Sequence, residues 1–227
     1  MAVLEITDVK KTYRSPTGER QTIIDIPKFA MEEKAHVALE GRSGSGKTTF
    51  LNLIAGILKA DTGKLLVEGT DIQSLSEPSR DLFRAKTIGY VHQTFNLLQG
   101  YTALENVELG MMFGRGLDKE YAVDLLGRVG LGDRIHYYPG QLSVGQQQRV
   151  AVARAMANHP KLVLADEPTG NLDPHHTHEA LSLIRGICRE QGTALLLVSH
   201  DDEVLQEFEN RQSLADINLA GQEASTA

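Results

Sequence analysis

Apolar and polar residues alternate along the first segment of the chain, from Val3 to Val9, as they do in a strand with one buried face. Continuous apolar runs at Leu162 to Ala165 and Leu195 to Val198 are typical of strands that are covered on both faces, the environment of a parallel sheet. Shorter stretches predict further strands at Thr22 to Ile26, Ala35 to Leu39, Lys64 to Val67 and Ile88 to Val91. The pattern therefore predicts an α/β fold with a parallel sheet at its centre.

Helical spacing is found in other segments. One helix is predicted from Lys47 to about Leu58, with its apolar residues on one face. Between the strands at 88–91 and 162–165 the pattern is helical throughout, including a helix from Gln147 to Ala157. A capping-box pattern, Thr102 with Glu105, begins an earlier helix in this stretch, and Asp173-Pro174 begins a later one beyond it.

We interpret the chain as a single domain, residues 1–227. A helical subdomain of residues 94–150 interrupts a core that is formed by residues 1–93 and 151–227. An ordinary α/β domain has no need of such an insertion, so the interruption is itself informative about the class of protein.

The composition is that of an acidic globular protein. The 227 residues are 41% hydrophobic, and 23 Lys and Arg stand against 30 Asp and Glu, a formal charge of −7. Sequence-independent nucleic-acid binding requires a basic surface that displaces counterions, so no nucleic-acid partner is expected. The first residues do not resemble a signal peptide, and the apolar runs are too short to cross a bilayer. With a single cysteine, Cys188, expected to be buried and inert, these features indicate a cytoplasmic protein.

Residues Gly41 to Thr48 match the phosphate-loop pattern G-x-x-x-x-G-K-[ST] in full. They lie where the motif requires, after a predicted strand and at the start of a predicted helix. Glycines let backbone amides converge on phosphate oxygens, Lys47 supplies a positive charge, and the Thr48 hydroxyl is a ligand for Mg²⁺. The predicted ATP-binding residues here are Gly41, Ser43, Gly44, Ser45, Gly46, Lys47, Thr48 and Thr49.

Two acids follow the apolar run at 162–165. Asp166 ends a buried strand beside the phosphate loop, where its carboxylate can bind Mg²⁺. Glu167 comes next and can orient and deprotonate the attacking water. Together with the phosphate loop these acids predict a nucleotide-hydrolysing or phosphoryl-transfer protein. Small-molecule kinases, GTPases and motor proteins remain alternatives at this point.

The segment Leu142 to Gln146, L-S-V-G-Q, closely resembles the signature of ATP-binding cassette (ABC) proteins, whose usual form is L-S-G-G-Q. Four more motifs of that family are matched in the correct order: the adenine-stacking aromatic by Tyr13, the Q-loop glutamine by Gln93, the D-loop by Asn171-Leu172-Asp173 and the switch histidine by His200. A small-molecule kinase would not explain the signature segment. The resemblance covers nearly the whole chain, which is therefore identified as a member of the ABC family. For Tyr13 alone, a strand-end aromatic that covers the core is an alternative interpretation.

The resemblance implies the ABC ATPase architecture: a P-loop NTPase with a RecA-like parallel-sheet core, an amino-terminal antiparallel β subdomain and an inserted α-helical subdomain. It implies hydrolysis of ATP with Mg²⁺, with catalytic roles for Gln93, Glu167 and His200 and metal ligation by Thr48, Gln93 and Asp166. It also implies a head-to-tail homodimer. In such a dimer the signature residues Ser143, Gly145 and Gln146 contact the ATP that is held by the partner's phosphate loop.

Several stretches, among them Thr102 to Val107 and Asp166 to Asp173, most closely resemble the ATPases of lipoprotein release, macrolide export and cell division. This implies an integral-membrane permease as a partner and a peripheral location on the cytoplasmic face of the inner membrane. A non-transport ABC ATPase of the translation or DNA-repair type is the alternative, which the single phosphate loop and the lack of heptads disfavour.

Apolar residues follow Gln93 closely in the sequence. We expect Phe95, Leu97, Leu98 and Tyr101 to line a groove that receives a short permease helix, the alternative being that they pack inside the helical subdomain.

The chain departs from the family pattern at two places. Val144 replaces the first glycine of the signature, and because a β-branched residue disfavours positive φ, we expect ordinary helical or turn geometry there. Otherwise the contact with the partner's ATP would be weakened. After His200 the strand and Asp-Gly turn that are typical of the family are not evident, and Asn210 to Asp216 stand in their place.

Overall fold

The structure is a computed structural model that describes residues 1–15, 17–170 and 174–220. The strands are β1 (Ala2–Arg14), β2 (Arg20–Glu32), β3 (His36–Glu40), β4 (Thr62–Val67), β5 (Thr70–Asp71), β6 (Ile88–Val91), β7 (Leu162–Asp166), β8 (Ala194–Ser199) and β9 (Asn210–Ser213). The helices are α1 (Lys47–Ile54), α2 (Glu77–Thr87), α3 (Ala103–Met112), α4 (Lys119–Arg128), α5 (Val144–Met156), α6 (Pro174–Gln191), α7 (Asp202–Gln206) and α8 (Leu214–Ile217).

Two sheets form the framework. The amino-terminal strands build a four-stranded antiparallel sheet in the order β2-β1-β4-β5, and the second sheet has five parallel strands in the order β6-β7-β8-β3-β9. Strands β7 and β8 are buried along their whole length, as their continuous apolar sequences predict. Because all five strands run parallel, their carboxyl ends lie at one edge of the sheet, where α/β folds bind their ligands. The predicted fold class is confirmed.

Three α-helices between β6 and β7, with a short 3-10 helix (Pro139–Gln141) before the last of them, form a helical layer. Helices α3, α4 and α5 pack on one another and contribute their apolar faces to a single core cluster. The predicted capping box begins α3: the Thr102 hydroxyl accepts from the Glu105 amide at 3.3 Å, and the Glu105 carboxylate accepts from the Thr102 amide at 2.7 Å. Helix α5 continues without a break through residue 150, and the subdomain boundary proposed there stays a prediction.

Helix α5 also lies directly on the parallel sheet. Gly89 of β6 faces the backbone carbonyl of Ala155 so closely that no Cβ would fit between them. The same helix holds the loop after β6, because the Arg154 guanidinium donates to the carbonyl of Asn96 at 2.6 Å and to that of Phe95. The helix therefore connects its own amino-terminal tip, the sheet and the loop that contains Gln93.

Two predicted helices each differ from the sequence-based expectation at one end. Helix α1 ends at Ile54, because Gly56 adopts a left-handed conformation with φ of 66° that terminates it. Leu58 still packs against the core, from the loop rather than from the helix. Helix α5 begins at Val144 instead of Gln147, because the Ser143 side chain caps it.

Helix α2 and strand β9 have no counterpart in the sequence-based prediction. Helix α2 begins after Ser76, whose hydroxyl accepts from the Ser79 amide, and only Thr87 of its residues is buried. Strand β9 lies in the segment where no family strand was evident, and it extends the parallel sheet beside β3. The chain then returns through α8 to strand β2, where the buried Asn218 side chain bonds to the backbone of Ile23 and Asp25.

The four apolar residues after Gln93 do not share one environment. Phe95 and Leu97 are 6% and 8% exposed and belong to the core cluster of the helical layer, so the expectation that they line an open groove is wrong. Leu98 and Tyr101 are about half exposed, at 50% and 44%. The alternation arises because the loop turns back on α3, where Asn106 bonds to the backbone of Leu98 and Tyr101.

Cys188 is fully buried in α6, as expected, and burial raises the pKa of its thiol to about 12. Within the described part of the chain no helix combines the length and apolar character needed to cross a membrane.

Candidate functional site

The phosphate loop connects β3 to α1 at the carboxyl edge of the parallel sheet. The Gly41 amide donates to the carbonyl of Ser199 at the end of β8, at 3.0 Å, which anchors the loop to the sheet. A Cβ on Gly41 would lie 2.7 Å from Ser45 Oγ and 2.9 Å from Lys47 Cγ, so only glycine fits there. Gly44 and Gly46 have φ of 77° and 94°, a region that glycine adopts without strain.

The loop presents donors that fit a phosphate group. Ser45 Oγ is buried and has no hydrogen-bond partner in the part of the chain that the structure describes. Gly46, which precedes α1, has no side chain to cap the helix, so the amides of its first turn are left for an acceptor. Unpaired amides at a helix amino terminus, aided by the helix dipole, are a favourable site for an anion.

Lys47 lies almost completely inside this loop, at 6% exposure. Its ammonium donates to the carbonyls of Gly41 and Arg42, at 2.6 and 3.0 Å, and forms an ion pair with Glu167 Oε1 at 2.9 Å. The side chain that would meet the β- and γ-phosphates is therefore in direct contact with the acid predicted to act on water.

Asp166 and Thr48 meet beside the loop. Burial at the end of β7 raises the pKa of the Asp166 carboxyl, and the neighbouring Glu167 carboxylate raises it too, although a hydrogen bond from Thr48 and the Lys47 charge oppose the shift. A carboxylate and a hydroxyl in contact are oxygen ligands of the kind that Mg²⁺ prefers. The pair fits a magnesium ion.

Glu167 has an unusual backbone conformation. Its φ is 43°, in the left-handed region, which is rare for a residue other than glycine. The Glu167 amide donates to the carbonyl of Val198 at 3.0 Å, and its carbonyl accepts from the Gly170 amide at 3.1 Å. This conformation turns the side chain from the end of β7 toward the phosphate loop, where it reaches Lys47.

The Glu167 carboxylate is held by two cationic or potentially cationic groups. Oε1 contacts Lys47, and Oε2 lies 2.9 Å from His200 Nδ1. Burial by itself would raise the pKa of Glu167, but the hydrogen bond and charge of Lys47, with a smaller contribution from His200, hold it below the ordinary value. The carboxyl group is therefore ionised at neutral pH, as a base requires.

Gln93 lies beside Gly170, which is in the loop that follows β7. Its Nε2 would be 3.2 Å from a Cβ built on Gly170, and Glu167 Oε2 would be 3.7 Å from the same point. Gln93 is exposed, as is 58% of the His200 side chain. The structure thus brings Lys47, Glu167, His200 and Gln93 together at the ends of four neighbouring strands.

The signature residues form a different surface, at the tip of α5. Ser143 Oγ accepts from the Gln146 amide at 3.3 Å, and Gln146 Oε1 accepts from the Ser143 amide at 3.0 Å, a complete capping box. Val144 is the first helical residue and has no positive φ, so the expected ordinary geometry is found. Its side chain is 47% exposed. Gly145 lies near the start of α6, with His176 in van der Waals reach of a Cβ built on it.

Comparison with known proteins identifies the family to which this site belongs. Residues 24–170 match the sequence model of the family described as ABC transporter. The chain is a member of the ABC transporter family. The resemblance deduced from the signature motif is confirmed, and so is the function that it implies, that of an ATP-binding subunit.

Individual relatives agree with this assignment. The cassette is 40% identical over 205 residues to the lipoprotein-releasing system ATP-binding protein LolD of Treponema denticola, a match that covers 89% of this chain and 90% of that one. It is 41% identical over 216 residues to the macrolide export ATP-binding/permease protein MacB of Syntrophobacter fumaroxidans, covering 91% of this chain and 29% of that protein. These relatives match the transport subfamily, and they give the non-transport alternative no support.

A solved structure supports the fold. The dimeric ATP-binding cassette MJ0796, in a post-hydrolysis state with ADP and Pi bound, superposes with a TM-score of 0.85 at 34% identity and covers 93% of this chain and 94% of that one. The ABC cassette architecture is thereby confirmed for this chain, as is its membership of an ATPase family.

The two remaining predicted features are Tyr13 and the D-loop. Tyr13 lies near the end of β1, paired with Gln21, and is 40% exposed, so its ring does not serve mainly to cover the core. Lys11 lies 5.7 Å from the centroid of that ring. The D-loop, residues 171–173, lies outside the described residues.

Sequence reasoning missed Gln148. This residue of α5 is 1% exposed, and its Nε2 donates to the carbonyl of Pro168, directly after Glu167, at 2.6 Å. A signal was present: Gln148 occupies the apolar stripe that Ala151, Val152 and Ala155 continue at helical spacing. A polar residue in such a stripe needs a buried partner.

Proposed function

We propose that the cassette binds ATP with Mg²⁺, hydrolyses it between two head-to-tail copies of the chain, and thereby drives an integral-membrane permease. The observation that carries this proposal is the position of Glu167, an ionised carboxylate turned out of β7 toward the phosphate loop and held by Lys47 and His200. The ADP and Pi in the dimeric MJ0796 structure support hydrolysis in a dimer.

The phosphate loop binds the triphosphate. Backbone amides and hydroxyls of the loop and first helical turn surround the phosphates, and Tyr13 stacks on the adenine. Lys47 then exchanges its bond to Glu167 for the terminal phosphates, since one ammonium group cannot satisfy both fully. The phosphate-binding set is Gly41, Ser43, Gly44, Ser45, Gly46, Lys47, Thr48 and Thr49.

Thr48, Gln93 and Asp166 would hold the magnesium ion, which when bound neutralises charge on the phosphate oxygens. Released from Lys47, the Glu167 carboxylate accepts a proton from the attacking water. His200, 2.9 Å from Glu167 Oε2, keeps the carboxylate oriented and is well placed to reach the terminal phosphate from an exposed position. Gln93 lies in the loop whose backbone is bound by Arg154 of α5. Through this contact a change at the nucleotide site is transmitted to α5.

The second copy of the chain completes each site. Ser143, Gly145 and Gln146 lie at the amino terminus of α5, where the hydroxyl, the backbone amides and the helix dipole favour an anion. We infer that they contact the γ-phosphate of the ATP on the partner. Hydrolysis removes the charge that joins the two copies and lets the dimer open.

The permease partner is inferred from the relatives. The name of MacB combines an ATP-binding and a permease function in one protein, and LolD is named as the ATP-binding protein of a releasing system. By analogy the cassette docks on the cytoplasmic face of the inner membrane. Leu98 and Tyr101, which stay exposed beside the loop of Gln93, are its proposed contacts with the permease.

The decisive experiment uses Glu167→Gln. The amide can still bond to Lys47 and His200 but cannot accept the proton, so we expect ATP binding with hydrolysis at least about 100-fold slower. With ATP and Mg²⁺ this variant should elute as a dimer in size-exclusion chromatography, whereas Lys47→Ala should neither bind ATP nor dimerise. A Glu167→Gln protein that binds ATP yet hydrolyses it at the wild-type rate contradicts the role of Glu167.

The permease contact is tested separately. Leu98→Asp should reduce co-purification with the permease from detergent-solubilised membranes and leave ATP binding by the isolated cassette intact. Undiminished co-purification contradicts the proposed contact and leaves the assignment of the nucleotide site unaffected.

A further inference from the structure

Gln148 is a buried polar residue on the inner face of α5. Its side chain is 1% exposed, and Nε2 donates to the carbonyl of Pro168 at 2.6 Å. Burying an amide is unfavourable unless its hydrogen bonds are made, so this contact is needed for the position to be tolerated at all. The neighbouring Gln147, by contrast, bonds to Leu142 within its own segment. Of these two glutamines, Gln148 is the one whose bond reaches toward the catalytic strand.

The carbonyl that Gln148 holds belongs to a strained loop. Glu167 keeps its φ of 43° between three hydrogen bonds: its amide to Val198, its carbonyl from Gly170, and the next carbonyl, of Pro168, from Gln148. A non-glycine residue persists in this region only when its surroundings over-determine it. The first two bonds are backbone bonds that any sequence could make. The third depends on a side chain from another element.

The same helix carries the signature tip. Ser143 caps the first turn of α5, and Gln148 lies in the next turn of the same unbroken helix. Farther along, the helix is seated on β6, where Gly89 meets Ala155. Because α5 is a rigid element, a displacement of its tip also moves Gln148 and the Pro168 carbonyl that is bonded to it.

We propose that Gln148 is a positioning residue for hydrolysis. Through the Pro168 carbonyl it holds the Glu167 carboxylate in line with the phosphate loop, and this alignment therefore depends on the position of the signature tip at the amino-terminal end of α5. Gln148 is 1% exposed, and it acts on Glu167 through the Pro168 carbonyl. This inference rests on the proposed role of Glu167 as the base. It extends that role by naming the contact that sets the direction of the carboxylate.

The first test is Gln148→Met, which keeps the length of the side chain and removes the donor. We expect kcat for ATP hydrolysis to fall about 10- to 100-fold, the range expected when a reacting group is misplaced by about 1 Å. The Kd for ATP should change less than about twofold, because Lys47 and the loop amides are untouched. The matched control is Gln191→Met, which removes a comparable side-chain bond, 2.8 Å to the Tyr121 hydroxyl, far from Glu167, and should leave kcat unchanged.

The second test is Gln148→Glu, which is informative even if the methionine variant fails to fold. Burial raises the pKa of the introduced carboxyl group, and its protonated form can donate to the Pro168 carbonyl. The ratio of its kcat to that of the wild type should therefore be higher at about pH 6 than at about pH 9. The ratio is compared only at pH values where circular dichroism shows the variant folded, because an ionised buried carboxylate would also lower the ratio by unfolding the chain.

The outcomes separate this inference from the proposed function. If Glu167→Gln is inactive while a folded Gln148→Met hydrolyses ATP at the wild-type rate, the positioning role is wrong and the function stands. A folded Gln148→Glu with the same low kcat ratio at both pH values overturns the positioning role as well. If Glu167→Gln is fully active, the proposed function fails first.

Discussion

The ion pair between Lys47 and Glu167 gives a prediction whose size can be worked out from the structure. The side chains are 6% and 12% exposed, and the charged atoms are 2.9 Å apart. At an effective dielectric constant of about 20 the gross Coulomb attraction is about 6 kcal/mol, and desolvation of both groups offsets most of it. We expect a net coupling free energy of about 1–3 kcal/mol in the nucleotide-free protein.

The perturbation is Lys47→Met. It leaves the buried Glu167 carboxylate with His200 as its remaining partner, and removal of one member of a buried ion pair is expected to lower the free energy of unfolding by about 3–5 kcal/mol. Adding Glu167→Gln removes that charge, so the double variant should recover about 1–3 kcal/mol. For a protein of this size each kcal/mol corresponds to about 2–4 °C in Tm.

The pH dependence of this effect has a defined sign. The pKa of Glu167 lies below its ordinary value of 4.5, so the pair stabilises the fold above that pH and the stabilisation is lost as the pH falls through the folded-state pKa. In Lys47→Met, burial is no longer opposed by the ammonium group, and the pKa of Glu167 should rise. The stability difference between wild type and variant should therefore be larger at about pH 7 than at about pH 4.

The assay is urea unfolding without nucleotide and with EDTA. Because the chain has no tryptophan, the transition is followed by far-ultraviolet circular dichroism. A double-mutant cycle of Lys47→Met and Glu167→Gln gives the coupling directly. Additive free energies, with a coupling near zero at neutral pH, would refute the reasoning, since the two groups would then not interact in solution.

Two other changes give predictions of their own. Val144→Gly restores the usual family residue at an exposed, helical position, so we expect a loss of about 0.5 kcal/mol in unfolding free energy and an ATPase rate within about twofold of wild type. A tenfold faster rate would show instead that Val144 hinders the partner's site. Asn218→Ala removes the buried bonds to Ile23 and Asp25 and should destabilise the chain by about 1–3 kcal/mol, with faster hydrogen exchange at the Asp25 amide; unchanged exchange there contradicts the contact.

Local sequence patterns predicted the elements whose burial is uniform. Strands β7 and β8 are apolar at nearly every position, and β6 was predicted with the bounds that the structure shows. The start of α1 followed from the phosphate-loop motif. Helix α2 was not predicted because its sequence is mostly polar and Thr87 is its only buried residue, although Ser76 followed by Pro78 is a typical helix start. Strand β9 was not predicted because its residues are polar.

The candidate site was predictable as a set of residues but not as a set of contacts. Motif matches placed Lys47, Glu167 and His200 in one site, yet no local pattern shows that one carboxylate joins the other two side chains. The left-handed φ of Glu167 is equally invisible, because two of the bonds that hold this loop, to Val198 and from Gln148, come from distant parts of the chain. Such features depend on tertiary packing, which a single sequence does not display.

The polar edge strand β9 has a consequence for how copies of the cassette associate. Asn210, Arg211 and Gln212 are exposed, and the strand has only 4 residues, so this margin of the parallel sheet is a poor template for a strand from another molecule. At the opposite margin, α2 and α5 contact β6. Lateral growth of the parallel sheet, the usual beginning of fibrillar aggregation, is thus discouraged at the β9 margin.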